Sequence, residues 1–179
     1  MPVTEQDEMI APSQTFREFY ELYFASIHNY VFYRVADPST AEDLSALVFQ
    51  RAFEKFETYQ PKKGSERTWI YAIAKNALRD HYRKKSVGGW FGIDFLLDRS
   101  DSEPEHLDRL DRGEDIEHLS KALESLSGRD REFIALKFGC GMNNREIAAE
   151  TGVTESAVGT ALHRAIEKMR SDFGGKFDE

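Results

Sequence analysis

Residues 143–170 read NNREIAAETGVTESAVGTALHRAIEKMR, and this stretch decides the fold class. Its spacing predicts two helices joined by a tight turn. Ile147 and Ala148 bring an apolar and a small side chain to the end of the first helix. Gly152 falls at the reversal, where a positive φ is usually needed and glycine adopts it without strain. Thr154 is placed to cap the second helix by accepting a hydrogen bond from a free N–H of its first turn. Val158, Ala161, Leu162, Ala165 and Met169 recur at helical spacing as one apolar stripe. Ala148 permits a close crossing, and Val158 fills the angle between the helices. These sizes and offsets are those of a helix-turn-helix, which presents the start of its second helix to the DNA major groove. An ordinary helical hairpin fits the periodicity alone; the alanine, glycine and valine in register favour the DNA-binding form.

The chain has 179 residues, enough for one medium or two small domains, and its 40% apolar content supports packed cores. Pro and Gly are sparse between residues 15 and 86, and no strand-like alternation stands out, so an all-α fold is expected. The single cysteine, Cys140, cannot form an internal disulfide, which fits a reducing compartment. No metal-ligand cluster, glycine-rich phosphate loop, paired catalytic carboxylates or nucleophile–base set is apparent, so neither a cofactor nor an enzyme is expected. With no signal peptide and no apolar run of spanning length, the expected location is the cytoplasm, without membrane insertion.

The net charge of −8 is unevenly spread. Residues 62–85 carry 8 basic and 2 acidic side chains, whereas residues 86–118 carry 3 basic and 10 acidic. A short positive block of this kind attracts phosphate whatever the net charge of the whole.

Residues 1–14 are expected to be a loose tail. Thr15 to Glu18 fits a capping box, and the stripe that follows, Phe16, Phe19, Tyr20, Tyr23, Phe24, Ile27, Tyr30, Val31 and Val35, reads as core. Asp37-Pro38 ends that helix, and Thr40 is expected to cap the next. There Leu44, Val48, Ala52 and Phe56 form one apolar line, and Phe49 and Phe53 a second. A helix apolar on two faces is either deeply buried or docks on a partner.

A basic loop, residues 59–67, leads into a helix at about residues 65–85. Ile70, Ile73, Ala74, Ala77, Leu78 and His81 read as its core side; Tyr71, Lys75, Asn76, Arg79, Tyr82 and Arg83 read as its outer side. Cations on such a face suit phosphates, rings suit unpaired bases and an amide suits a base edge. Residues 87–115 read as an acidic linker with an apolar segment, Trp90 to Leu97. Ser127 is expected to cap a helix bearing Phe133, Ile134, Leu136 and Phe138. Residues 116–173 thus form a second domain of four helices, and residues 15–86 the first.

Three segments in order, AEDLSALVFQRAF at 41–53, RTWIYAIAKNALRDHYRK at 67–84 and the stretch at 126–170 ending in the helix-turn-helix, resemble the extracytoplasmic-function (ECF, group 4) sigma factors of bacterial RNA polymerase. The resemblance covers most of the chain outside the tail and linker. It implies a promoter-specificity subunit with core RNA polymerase (β′ and β subunits), promoter DNA and an anti-sigma factor as partners. Asp43, Ala46, Leu47, Phe49 and Gln50 would meet polymerase. Lys62, Lys63, Arg67, Trp69, Tyr71, Lys75, Asn76, Arg79 and Arg83 would engage the minus-ten element. Asn144, Arg145, Thr154, Ser156, Gly159, Thr160, His163 and Arg164 would engage the minus-thirty-five element. Two departures stand out. Ala46-Leu47 replaces the family's usual Gln-Glu, and Ala157-Val158-Gly159-Thr160-Ala161 replaces Thr-Val-Lys-Ser-Arg, removing two cations. A decoy that sequesters an anti-sigma factor and a conventional operator-binding regulator are the alternatives.

Overall fold

The computed structural model describes residues 13, 15–87 and 112–173; the expected tail, most of the linker and its Trp90–Leu97 segment lie outside the described residues. Among the described residues every regular element is helical. Helix α1 (Phe16–Val35) opens on the expected capping box: Glu18 N donates to Thr15 Oγ1 at 3.3 Å, and Thr15 N donates to Glu18 Oε2 at 3.2 Å. It ends where Ala36 turns left-handed (φ 58°) and its N–H donates to the Phe32 carbonyl. Helix α2 (Pro38–Lys55) is capped by Asp37, not by Thr40: Thr40 N donates to Asp37 Oδ2 at 2.7 Å. Pro38 needs no N–H partner at the first helical position, and the Asp37 carboxylate suits the positive helix start, so the helix begins earlier than Thr40 alone suggests. Two short 3₁₀ turns, Phe56–Thr58 and Pro61–Lys63, lead to α3 (Glu66–Val87).

In the second half, α4 (Arg112–Glu124) begins ahead of the expected Ile116. Ser127 caps α5 (Gly128–Ile134) as expected, accepting from Asp130 N at 3.1 Å. α5 runs on into a π turn, Ala135–Gly139, followed by α6 (Asn144–Thr151) and α7 (Glu155–Phe173).

Phe19, Ile27, Val31, Val48, Ile70 and Ala74 fill the centre of α1–α3, and Leu123, Phe133, Ile134, Ile147, Val158 and Ala165 that of α4–α7. Each large side chain removed from water in this way contributes about 1.5–3 kcal/mol. The two halves also pack on each other, α1 lying along α5 and the π turn. Gly139 is needed there because a Cβ on it would come within 2.7 Å of the Tyr30 backbone. A polar cluster crosses the same seam. Arg34, 9% exposed, pairs with Glu132 and donates to the Gly128 carbonyl at 3.2 Å. Tyr82 Oη donates to the Arg34 carbonyl at 2.8 Å. Burial and the Glu132 carboxylate push the Tyr30 hydroxyl pKa upward.

Candidate nucleic-acid interface

The helix-turn-helix is built as its residues dictate. Asn143 and Glu146 form a capping box at the start of α6, with N–H to oxygen distances of 2.9 and 2.7 Å. Gly152 adopts φ 72°, and its N–H donates to the Ala148 carbonyl at 2.9 Å. Thr154 caps α7 by accepting from Ala157 N at 3.2 Å. Ile147 and Val158 are fully buried between the helices. This leaves Arg145, Thr154, Ser156, Thr160 and His163 exposed on one unit. Asn144 is half-buried and accepts from Lys137 Nζ at 3.4 Å. Arg164 is exposed but leans back to Asp130 at 3.0 Å. Gly159 has only the Asn144 side chain near it: a Cβ would meet Asn144 Nδ2 at 3.6 Å, an ordinary contact. Internal packing therefore does not require glycine at 159.

Helix α3 departs from its expected division into faces. Ile70, Ala74, Ala77 and Leu78 are buried as expected, whereas His81 is only half-buried. Asn76, Arg79 and Arg83 are exposed, and so are Lys62 and Lys63 in the loop before it. Tyr71, expected on the outer side, is 6% exposed. Its ring meets Tyr30 edge-on at 5.4 Å, and burial and the neighbouring Cys140 push its hydroxyl pKa upward. Tyr82 is also partly covered, through its bond to α1. Arg67 donates to the Cys140 carbonyl at 2.5 Å, and Lys75 pairs with Glu150 of α6 at 2.5 Å. The second half of the chain thus covers the first part of the cationic face. Trp69 is half-buried between Phe19 and Tyr59, at 5.6 and 5.2 Å between ring centres. Glu66, which sequence reasoning passed over, is buried and accepts from Ser13 N at 2.8 Å and Ser13 Oγ at 3.0 Å. No local pattern announces that contact, since its partners are 53 residues apart.

On α2, Asp43, Ala46 and Gln50 are exposed and Leu47 is half-buried. Phe49 is a core residue instead, with its ring 4.8 Å from Tyr20 and 5.8 Å from Phe24. The outward ring is Phe53, 65% exposed, next to Phe16 at 5.0 Å. Tyr20 and Phe24, expected in the core, are stacked at 4.9 Å and exposed on the same side of the molecule as Phe49. Among the described residues no His, Cys, Asp or Glu cluster is arranged to hold a metal ion. No described helix is long and apolar enough to cross a membrane.

The class these features define is a two-module helical DNA-engaging protein, with a capped helix-turn-helix on one module and a cationic helix on the other. The Sigma-70 region 2 family model matches residues 19–87, and the Sigma-70, region 4 model matches residues 116–169. The chain therefore belongs to the ECF sigma factors of RNA polymerase. It is 29% identical over 164 residues to the ECF RNA polymerase sigma factor SigX of Bacillus subtilis, covering 88% of this chain and 82% of SigX. It is 26% identical over 157 residues to BldN of Streptomyces coelicolor, of whose length the match spans only 60%. Among solved structures, the sigma factor RpoE of Bartonella quintana, in complex with the anti-sigma factor NepR, shares the fold at a TM-score of 0.61 and 20% identity, over 90% of this chain and 98% of that one. CnrH, in complex with the cytosolic domain of CnrY, does so at 0.60 and 20%, over 90% and 88%.

Proposed function

We propose that this chain binds core RNA polymerase and directs it to specific promoters, and that it has no catalytic activity of its own. The observation that carries this reading is the order of a region 2 match and a region 4 match, the second containing a fully capped helix-turn-helix. Residues 15–86 form the polymerase and minus-ten domain, and residues 116–173 the minus-thirty-five domain. Asp43, Ala46, Leu47 and Gln50 meet polymerase from the outer face of α2, and the exposed Phe53 ring extends that surface with an apolar anchor. Lys62, Lys63, Arg79 and Arg83 hold phosphates, and Asn76 reads a base edge. Arg145, Ser156, Thr160 and His163 face the duplex, and Gly159 lets the α7 backbone approach it closely. The protein works in the cytoplasm. An anti-sigma factor regulates it, as the solved complexes of RpoE with NepR and of CnrH with CnrY suggest by analogy.

Gel filtration of the purified chain with core polymerase tests this reading: co-elution supports it, and separate elution counts against it. A decoy binds an anti-sigma factor and yields no promoter-directed transcript, whereas an operator-binding regulator binds duplex DNA without polymerase.

A further inference from the structure

We propose that Asn144 reads a guanine in the minus-thirty-five element, through the slot that Gly159 leaves in the surface of α7. This inference rests on the promoter reading and deepens it by naming a base and the side chain that selects it. Asn143 and Asn144 are neighbours with different tasks. The Asn143 side chain accepts from Glu146 N at 2.9 Å and is committed to the α6 cap. Asn144 is half-buried, and its Oδ1 accepts from Lys137 Nζ at 3.4 Å. A lysine ammonium only donates, so this contact fixes which end of the amide is which: oxygen toward Lys137, nitrogen toward α7. There Nδ2 lies 3.6 Å from where a Cβ on Gly159 would sit. Among the described residues this nitrogen has no acceptor.

Ser156, Gly159, Thr160 and His163 follow the i, i+3, i+4, i+7 spacing of one helix face, and Ser156, Thr160 and His163 are exposed on it. A side chain at 159 would lie over the Asn144 nitrogen; glycine leaves that nitrogen open to whatever α7 is laid against. Nearby donors are already engaged. Thr160 Oγ1 donates to the Ser156 carbonyl at 3.0 Å, which commits its proton, and Arg164 pairs with Asp130 at 3.0 Å. The oriented donor at this spot is therefore the Asn144 amide. Guanine is the base that answers a donor-only group. Its major-groove edge carries two acceptors, N7 and O6, whereas adenine and cytosine place an amino group there and thymine sets a methyl group beside its single acceptor. An unrestrained asparagine suits adenine instead, because it uses both ends of its amide. Turning Oδ1 toward Lys137 removes that option. Lys137 is thus a positioning residue, which sets the preference through Asn144.

The test is selection from a promoter library. Holoenzyme reconstituted from core polymerase and the full-length chain binds duplex fragments randomised across the minus-thirty-five element, and the bound fragments are sequenced. Wild type is compared with Asn144→Asp, Lys137→Met, Gly159→Ala and, as control, Arg17→Ala on the exposed side of α1. Wild type enriches guanine about tenfold at one position. Asn144→Asp keeps a partner for Lys137 and suits the positive start of α6, but turns the donor into an acceptor. Its guanine enrichment at that position falls about tenfold, and cytosine, which presents its N4 amino group, takes guanine's place. Lys137→Met frees the amide, and adenine rises at the same position. Gly159→Ala covers the nitrogen and flattens the preference there, while melting no lower than wild type because alanine favours a helix over glycine. Arg17→Ala reproduces the wild-type profile. If Asn144→Asp loses its helical melting transition, Lys137→Met and Gly159→Ala decide. A selective wild-type profile without a guanine position, or variant profiles equal to wild type throughout, overturns the inference. An equal loss of affinity for all sequences also overturns it, since that marks a phosphate contact. A wild-type holoenzyme that enriches no sequence sinks the promoter reading and this inference with it, a result distinct because it is seen before any variant is made.

Discussion

Replacing Lys75 and Arg79 together by Ala probes the cationic face of α3 most directly. Arg79 is exposed and Lys75 is half-exposed, so neither removal opens a cavity, and the fold is retained. Each phosphate contact to a single strand contributes about 0.7 to the slope of log affinity against log salt, so losing both flattens the slope by about 1.4. Between 50 and 200 mM salt, a 1.4 smaller slope means that the variant loses about sevenfold less affinity than the wild type. Lys75→Ala also breaks the pair with Glu150. The absolute affinity therefore mixes two effects, whereas the slope reports the phosphate contacts. The assay is filter binding of reconstituted holoenzyme to a promoter fragment melted at the minus-ten element, over a salt series. An unchanged slope refutes the assignment of this face to phosphate.

Other outcomes follow from single contacts. Gly152→Ala forces a side chain into the left-handed region at φ 72° and lowers stability by about 1–2 kcal/mol in thermal melts, with Gly152→Asn costing less. Glu132→Ala leaves the Arg34 guanidinium at the seam without its carboxylate and costs about 3 kcal/mol by urea titration; the Arg34/Glu132 double alanine variant costs less than the sum of the two single changes. Phe53→Asp changes an exposed ring, so it leaves the urea midpoint nearly unchanged, within about 0.5 kcal/mol, while weakening core polymerase binding by about tenfold in a titration.

The readable parts of this molecule are those set by neighbours in sequence. The Thr15, Ser127 and Thr154 caps and the left-handed Gly152 depend on residues within a turn of each other, and each is found where the pattern places it. Ile147 and Val158 are likewise fixed by the local geometry of the helix-turn-helix. The Asp37 cap does not stand out in the sequence because Thr40 offers an equally good local cap, and only Pro38 at the first helical position settles the start. The outer face of α3 is not legible in the sequence for a different reason. Helical periodicity separates core from surface for one module, but Tyr71 is covered by residues about 70 positions away, around Cys140. The aromatic stripe of α1 has the same weakness. Phe19 and Tyr23 face inward while Tyr20 and Phe24 face out, and only the position of α2 decides which rings are which. On α2, Phe49 and Phe53 share a sequence line but separate once α1 packs over the first.

This chain supplies promoter choice to a polymerase that lacks it. Core polymerase is incubated with genomic DNA with and without the purified chain, and the 5′ ends of the transcripts are sequenced. New starts then appear only with the chain, and they share one pair of upstream elements at minus-ten and minus-thirty-five spacing. Identical start sites in the two reactions contradict it.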